Sequence, residues 1–119
     1  MTDEEKKDVK ERIALSYFGG MIDSGGTIGV VKVGRKKKEV PIVRMRRPDR
    51  YAFDRMKERW GGSVIARGDS FEITIMYGKA LSFLRAVRNN TIGRQREIDQ
   101  FLQAHERTVD DIKPEINAD

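Results

Sequence analysis

One carboxylate and one basic tract are the parts of this 119-residue chain whose types and spacing could do chemistry. Asp23 falls near the end of an apolar run, in Phe18-Gly19-Gly20-Met21-Ile22-Asp23-Ser24-Gly25-Gly26. A carboxylate at a helix end either helps to hold a divalent cation that activates water, or hydrogen-bonds to backbone beyond the helix end. Both readings stand at this point. Between residues 32 and 50, nine Lys or Arg residues face only Glu39 and Asp49. Lys32, Arg35, Lys36, Lys37, Lys38, Arg44, Arg46 and Arg47 are the candidates for contacts with an anionic partner. The formal net charge of +5 points the same way, toward an anionic partner.

Other catalytic chemistries are excluded by composition. The chain has no cysteine, which removes disulfides, zinc–thiolate sites and thiol catalysis. His105, the single histidine, lies in the polar run Gln103-Ala104-His105-Glu106-Arg107 and reads as an exposed helical residue. A His-rich metal site is therefore excluded, and a Ser-His-Asp triad would have to use that residue. The expectation is no metal site and no cofactor, with Mg²⁺ the exception if Asp23 proves catalytic. A small-molecule ligand is not expected.

The elements that must position these residues follow from hydrophobic periodicity. An apolar helical run begins near Ile13 and carries two adjacent glycines, each costing about 1 kcal/mol relative to alanine, so something must approach that backbone closely. A second helix is the natural candidate. Ile13, Tyr17, Gly20 and Ser24 form one stripe and Ala14, Phe18, Met21 and Ile22 a neighbouring one, so two faces call for burial. Gly25-Gly26 ends the helix. Residues 27–33 and 40–46 are β-rich and joined by a basic loop over 34–39, and Pro41 marks the second strand as irregular or at an edge near its start. A second helix opens at Pro48-Asp49 and stops at Gly61-Gly62, a second hairpin covers 63–67 and 71–77, and one or two closing helices occupy 78–87 and 93–105.

The Phe18 to Gly26 stretch resembles the motif of the LAGLIDADG homing endonucleases, with those nine residues at its nine positions in order. Trp60-Gly61-Gly62-Ser63-Val64 is similar to the family's entry to its third strand, and Gln95 and Glu97 to its closing helix. The resemblance runs from about Leu15 to His105. It implies an α+β fold of αββαββα order, an antiparallel sheet packed against helices in a single domain. It also implies a saddle-shaped sheet that reads double-stranded DNA, with Arg44, Arg46 and the hairpin residues Arg35, Lys36, Lys37 and Lys38 at phosphates or guanine edges, and homodimerisation through the motif helices, here Ile13, Tyr17, Gly20, Met21 and Ser24.

At the chemistry the chain departs from the family. The acidic residue usual at the eighth position, which binds metal at the foot of the helix, is Gly25. Asp23 sits about 200° around the helix axis from it. Met45-Arg46-Arg47 stands where a glutamine is frequent, and Ile92-Gly93-Arg94 where a lysine is frequent. The leading expectation is a DNA-binding homodimer that does not cleave. The alternatives are an active metal-dependent homing endonuclease, with Asp23 or another carboxylate taking over, and an RNA-binding splicing helper or protein-interaction module.

A chain of this length suits one domain. Residues 1–12 are expected to be an extension or helix start, 13–107 the domain, and 108–119 an acidic tail that is frayed or disordered. The charged start from Thr2 to Arg12 has no apolar stretch of the signal-peptide kind, and no run is long enough to span a membrane, so the expected location is cytoplasmic. The strand over 27–33 leaves its register open. Direct alternation turns Gly29, Val31 and Val33 outward, whereas a bulge at Gly29 would turn Lys32 outward instead.

Overall fold

A computed structural model describes residues 1–105 of the chain. The expected acidic tail lies outside the described residues. The first helix, α1, spans Asp3–Gly25. It starts well before Ile13 because Thr2 caps it: the Thr2 hydroxyl accepts from the Glu5 amide at 3.1 Å, and Asp3, Glu4 and Glu5 complement the positive end of the helix dipole. No residue from Asp3 to Arg12 is buried. This arm is tied to the body by an ion pair between Glu11 and Arg59, whose guanidinium lies 4.7 Å from the ring centroid of Trp60.

The remaining elements are β1 Thr27–Val33, β2 Lys38–Arg47, α2 Tyr51–Trp60, β3 Ser63–Arg67, β4 Ser70–Met76 and α3 Gly78–Val87. A 3₁₀ turn, Arg88–Asn90, follows, and then a helix over 95–105, α4. The expected order is thus present, with two closing helices. All strands pair antiparallel in the order β1-β2-β4-β3. Pairing of β1 with β2 runs from Thr27↔Arg44 to Val33↔Lys38 without a skipped residue, so no bulge interrupts it at Gly29. Pro41 is tolerated in a central strand because pairing with β4 begins only at Ile42↔Met76. Its missing N–H points past the end of β4, where its carbonyl accepts from the Tyr77 amide at 2.9 Å.

Alternation gives the sheet two unlike faces. Val43 and Met45 of β2 and Ile73 and Ile75 of β4 face the helices and join Phe18, Met21 and Ile22 of α1 in the core. α2 adds Phe53, Met56 and Trp60, α3 adds Leu81, Phe83 and Leu84, and α4 adds Ile98 and Leu102. Trp60 is the aromatic hinge of this core, meeting Phe18 at 5.9 Å and Phe83 at 4.9 Å, both edge-on.

The two glycines of α1 answer to different neighbours. A Cβ on Gly19 would fall 2.6 Å from the Asn90 carbonyl oxygen, whereas a Cβ on Gly20 would meet nothing within 4 Å. The close approach at Gly19 is therefore to the 3₁₀ turn of the same chain and not to a second helix. Met21 likewise leaves the expected dimer stripe, because its side chain is buried in the core. At high dilution, Gly19→Ala is expected to lower the unfolding free energy by about 1–3 kcal/mol through overpacking. Gly20→Ala should leave it unchanged or raise it by up to about 1 kcal/mol through helix propensity. Urea denaturation of the two variants makes the comparison, and equal effects would remove Asn90 as the cause.

Candidate nucleic-acid interface

The face of the sheet turned away from the helices carries the arginines. Even-numbered residues of β2 and β4 share it with odd-numbered residues of β1 and β3, which places Arg44, Arg46, Glu72, Thr74 and Arg67 together. Gly29, Val31 and Val33 lie on the same face, and Val40 and Ile42 at its centre are buried. Lys32, in register with Glu39, lies on the other side with Ile28 and Val43, so it is exposed but separated from Arg44 and Arg46. Arg35, Lys36 and Lys37 form the exposed turn between β1 and β2, and Lys38 opens β2. That turn closes because Gly34 and Lys37 both take left-handed conformations, at φ of 74° and 54°. The hairpin therefore presents four consecutive cations at its tip.

Glu72 was not singled out by sequence reasoning. Its carboxylate stands 3.7 Å from Arg44 Nε and 3.6 Å from Arg67 Nε, and Arg44 Nε also donates to Thr74 Oγ1 at 3.2 Å. The signal for it was the alternation Phe71-Glu72-Ile73-Thr74-Ile75, in which the polar row must face away from the core.

At the foot of α1 the geometry is that of a clasp. Asp23 accepts hydrogen bonds from the backbone amides of Ile92, at 2.5 Å, and Gly93, at 3.2 Å. The backbone partner is thus remote in sequence and not the residues just beyond the helix end. Arg94 completes the clasp, donating from Nη1 to the carbonyls of Ile22 and Gly26 at the negative end of the helix dipole. Glu97 holds the other side of this guanidinium through two bonds of 2.8 and 2.7 Å. That pairing holds the Glu97 carboxyl below its ordinary range. Its contribution is present above the ordinary carboxylate range and is lost only as pH falls below that range.

Beside the clasp is a cavity of about 270 Å³ lined by Met21, Ser24, Gly25, Gly26, Met45, Arg46 and Arg47. It has two cations and no carboxylate, and both oxygens of Asp23 are engaged elsewhere. The donor set does not suit a divalent cation. Among the described residues no three His, Cys, Asp or Glu side chains cluster at metal-binding spacing.

Among the described residues nothing covers the outer stripe of α1. Ile13 is 65% and Tyr17 50% exposed, and Gly20 and Ser24 continue the stripe. Ile13 and Tyr17 also border a groove of about 580 Å³ between α1 and α2, with Phe18, Tyr51 and Ala52 at its apolar wall and Lys10, Asp49 and Arg55 at its rim. No helix among the described residues is long and apolar enough to cross a membrane.

The fold is that of the LAGLIDADG homing endonucleases. The chain superposes on the homing endonuclease I-CvuI in complex with its target with a TM-score of 0.68 and 17% identity, over 82% of this chain and 69% of that one. On the homing endonuclease I-TnaI the TM-score is 0.55 at 16% identity, over 84% and 74% of the two chains. On the LAGLIDADG meganuclease I-AabMI bound to uncleaved DNA it is 0.60 at 15% identity, and there this chain spans 36% of the other's length. No family profile matches the sequence, and no curated protein does.

If the clasp is what Asp23 does, its removal is a stability effect. Asp23→Ala is expected to lower the unfolding free energy by about 2 kcal/mol, the scale of hydrogen bonds to a charged acceptor. The amides of Ile92 and Gly93 should lose protection in hydrogen exchange. Unchanged protection at both amides would break the assignment.

Proposed function

We propose that this chain is a double-stranded DNA-binding homodimer on the LAGLIDADG scaffold that does not cleave its target. The observation that carries the reading is the cavity at the foot of α1, where Arg46 and Arg47 stand without a carboxylate while the basic hairpin and the arginine face of the sheet are intact. Phosphodiester hydrolysis with Mg²⁺ needs carboxylates to hold the ions that activate water and stabilise the leaving oxygen. Gly25 offers only its carbonyl, and Asp23 is committed to Ile92 and Gly93. The protein-interaction alternative draws no support from Val31 and Val33, which are half-buried instead of forming an exposed apolar strip.

The homodimer is supported by the stripe of Ile13, Tyr17, Gly20 and Ser24, which no other described residue covers and which carries a glycine that admits close backbone contact. Gly20→Leu is expected to shift the natural protein from dimer to monomer in sedimentation at micromolar concentration. A natural protein already monomeric there would sink the dimer.

Selection of DNA from a random duplex pool at moderate salt, followed by incubation of the selected sequence with Mg²⁺ or Mn²⁺, tests the rest. Binding without strand cleavage is expected. Six phosphate contacts in a dimer would give a slope of log affinity against log salt of roughly −5, and replacing Lys36, Lys37 and Lys38 by alanine should flatten it. Gly25→Asp is expected to destabilise the protein by about 1–3 kcal/mol, because Gly25 sits at φ 154°, a conformation costly for any side chain. It should not restore cutting. Chelator-sensitive, site-specific cleavage by the natural protein would overturn the reading.

A further inference from the structure

We infer that Glu72 is a positioning residue for base readout: it holds Arg44 and Arg67, from two different strands, as one two-headed donor for neighbouring guanines in a DNA major groove. The inference rests on the DNA-binding reading and adds to it the residue that sets sequence preference and the bases preferred.

Glu72 sits mid-strand on β4, opposite Arg46 of β2 and Ile65 of β3. Arg44 and Arg67 reach it diagonally from either side, and both approach the same oxygen, Oε1. Their Nε atoms are therefore within about 7 Å of one another, although one side chain starts on β2 and the other on β3. Base pairs stack at about 3.4 Å, so two heads at that separation span two base-pair steps at most. The Glu72 side chain is only 14% exposed, while those of Arg44 and Arg67 are 41% and 52% exposed. The carboxylate is at the bottom and the guanidinium groups are at the top. The Nη nitrogens of both arginines carry no hydrogen bond to other described residues. They remain available for the O6 and N7 acceptors of guanine, the commonest partners of arginine in the major groove.

A carboxylate in the middle of a phosphate-binding face weakens general electrostatic attraction. Its benefit is order. Thr74 Oγ1 accepts from the same Arg44 Nε at 3.2 Å, so the base of that guanidinium is anchored to β4 before DNA arrives. A pre-set donor loses less conformational freedom on binding, and the gain goes to sites whose acceptors match its position.

The test uses the natural full chain, the selected duplex and a scrambled duplex of equal length. The selected sequence is expected to contain guanines at two positions within two base-pair steps, with a penalty of roughly tenfold for replacing either by adenine. Glu72→Gln keeps size and removes the charge. It should bind the scrambled duplex more tightly and with a salt slope steeper by about 1 per subunit, yet lose most of the guanine preference. Arg44→Lys, which keeps charge and loses the fork, should lose preference at one guanine with the slope unchanged. Arg67→Ala should lose it at the other, with no further loss at that position when combined with Glu72→Gln. If Glu72→Gln tightens both duplexes by one common factor and the guanine preference survives, Glu72 is only a charge and the inference falls while DNA binding stands. Failure to recover any preferred duplex overturns the DNA-binding reading itself. A Glu72→Gln protein with a lowered melting temperature leaves Arg44→Lys and Arg67→Ala to decide, and guanine preference intact in both overturns the inference.

Discussion

The seam between the second half of α1 and the segment from Asn90 to Arg94 is the constraint on which the rest of this structure depends. Gly19 lets the helix backbone approach the Asn90 carbonyl more closely than any side chain would allow. One turn further on, Asp23 accepts from two amides, and at the helix end Arg94 donates to the carbonyls of Ile22 and Gly26. Backbone groups of both segments are bonded across one short contact: the Ile92 and Gly93 amides by Asp23, and the carbonyls of Ile22, which also accepts from the Gly26 amide, and Gly26 by Arg94. Because α1 is fixed at that end, its inner stripe is delivered to Trp60 and the sheet, and the stripe from Ile13 to Ser24 is left uncovered by the other described residues.

The same seam decides what the foot of α1 can do. Asp23, each of whose oxygens accepts an amide proton, does not line the adjoining cavity, and the arginine on the carbonyls of Ile22 and Gly26 competes with any cation for them. With Arg46 and Arg47 on the adjoining cavity, the local field favours an anion. The fold is that of the homing endonucleases, and the cavity at this helix end is lined by two arginines and no carboxylate. The arginine face of the sheet is built independently of it, on β2, β4 and β3 and not on the helix end.

Most of the fold was legible in the sequence, and the reasons are local. Glycine pairs at 25–26 and 61–62 end helices, Pro41 could sit only where the ladder lacked a neighbour, and β-branched runs alternate with arginines in the period of a strand. What escaped were contacts between residues far apart in sequence. The partner of Gly19 is 71 positions away. For Asp23 one reading named the backbone just beyond the helix end, and nothing near it in sequence names its partners Ile92 and Gly93. Met21 was counted with the dimer interface although the same periodicity set it beside Phe18 and Ile22, and it is with them that it is buried. Glu72 was overlooked because a single acid in a polar row has no pattern of its own until Arg44 and Arg67 are seen to converge on it. The start of α1 was set by Thr2 and the acidic first turn, features that hydrophobic periodicity does not register.

The strand order β1-β2-β4-β3 has a consequence for how the molecule is made. Each outer pair is a hairpin closed by a short turn, and such pairs form within microseconds in an otherwise open chain. The central β2–β4 pair must instead enclose α2 and β3, a loop several times longer, and by loop-closure scaling this adds on the order of 1.5 kcal/mol of entropic cost. Arg44 belongs to one hairpin, and Glu72 and Arg67 belong to the other. The surface that combines them exists in neither module alone. It is assembled when the two hairpins meet over α2, and it disappears when they part, so a partly unfolded chain retains cationic tips but no organised surface between them.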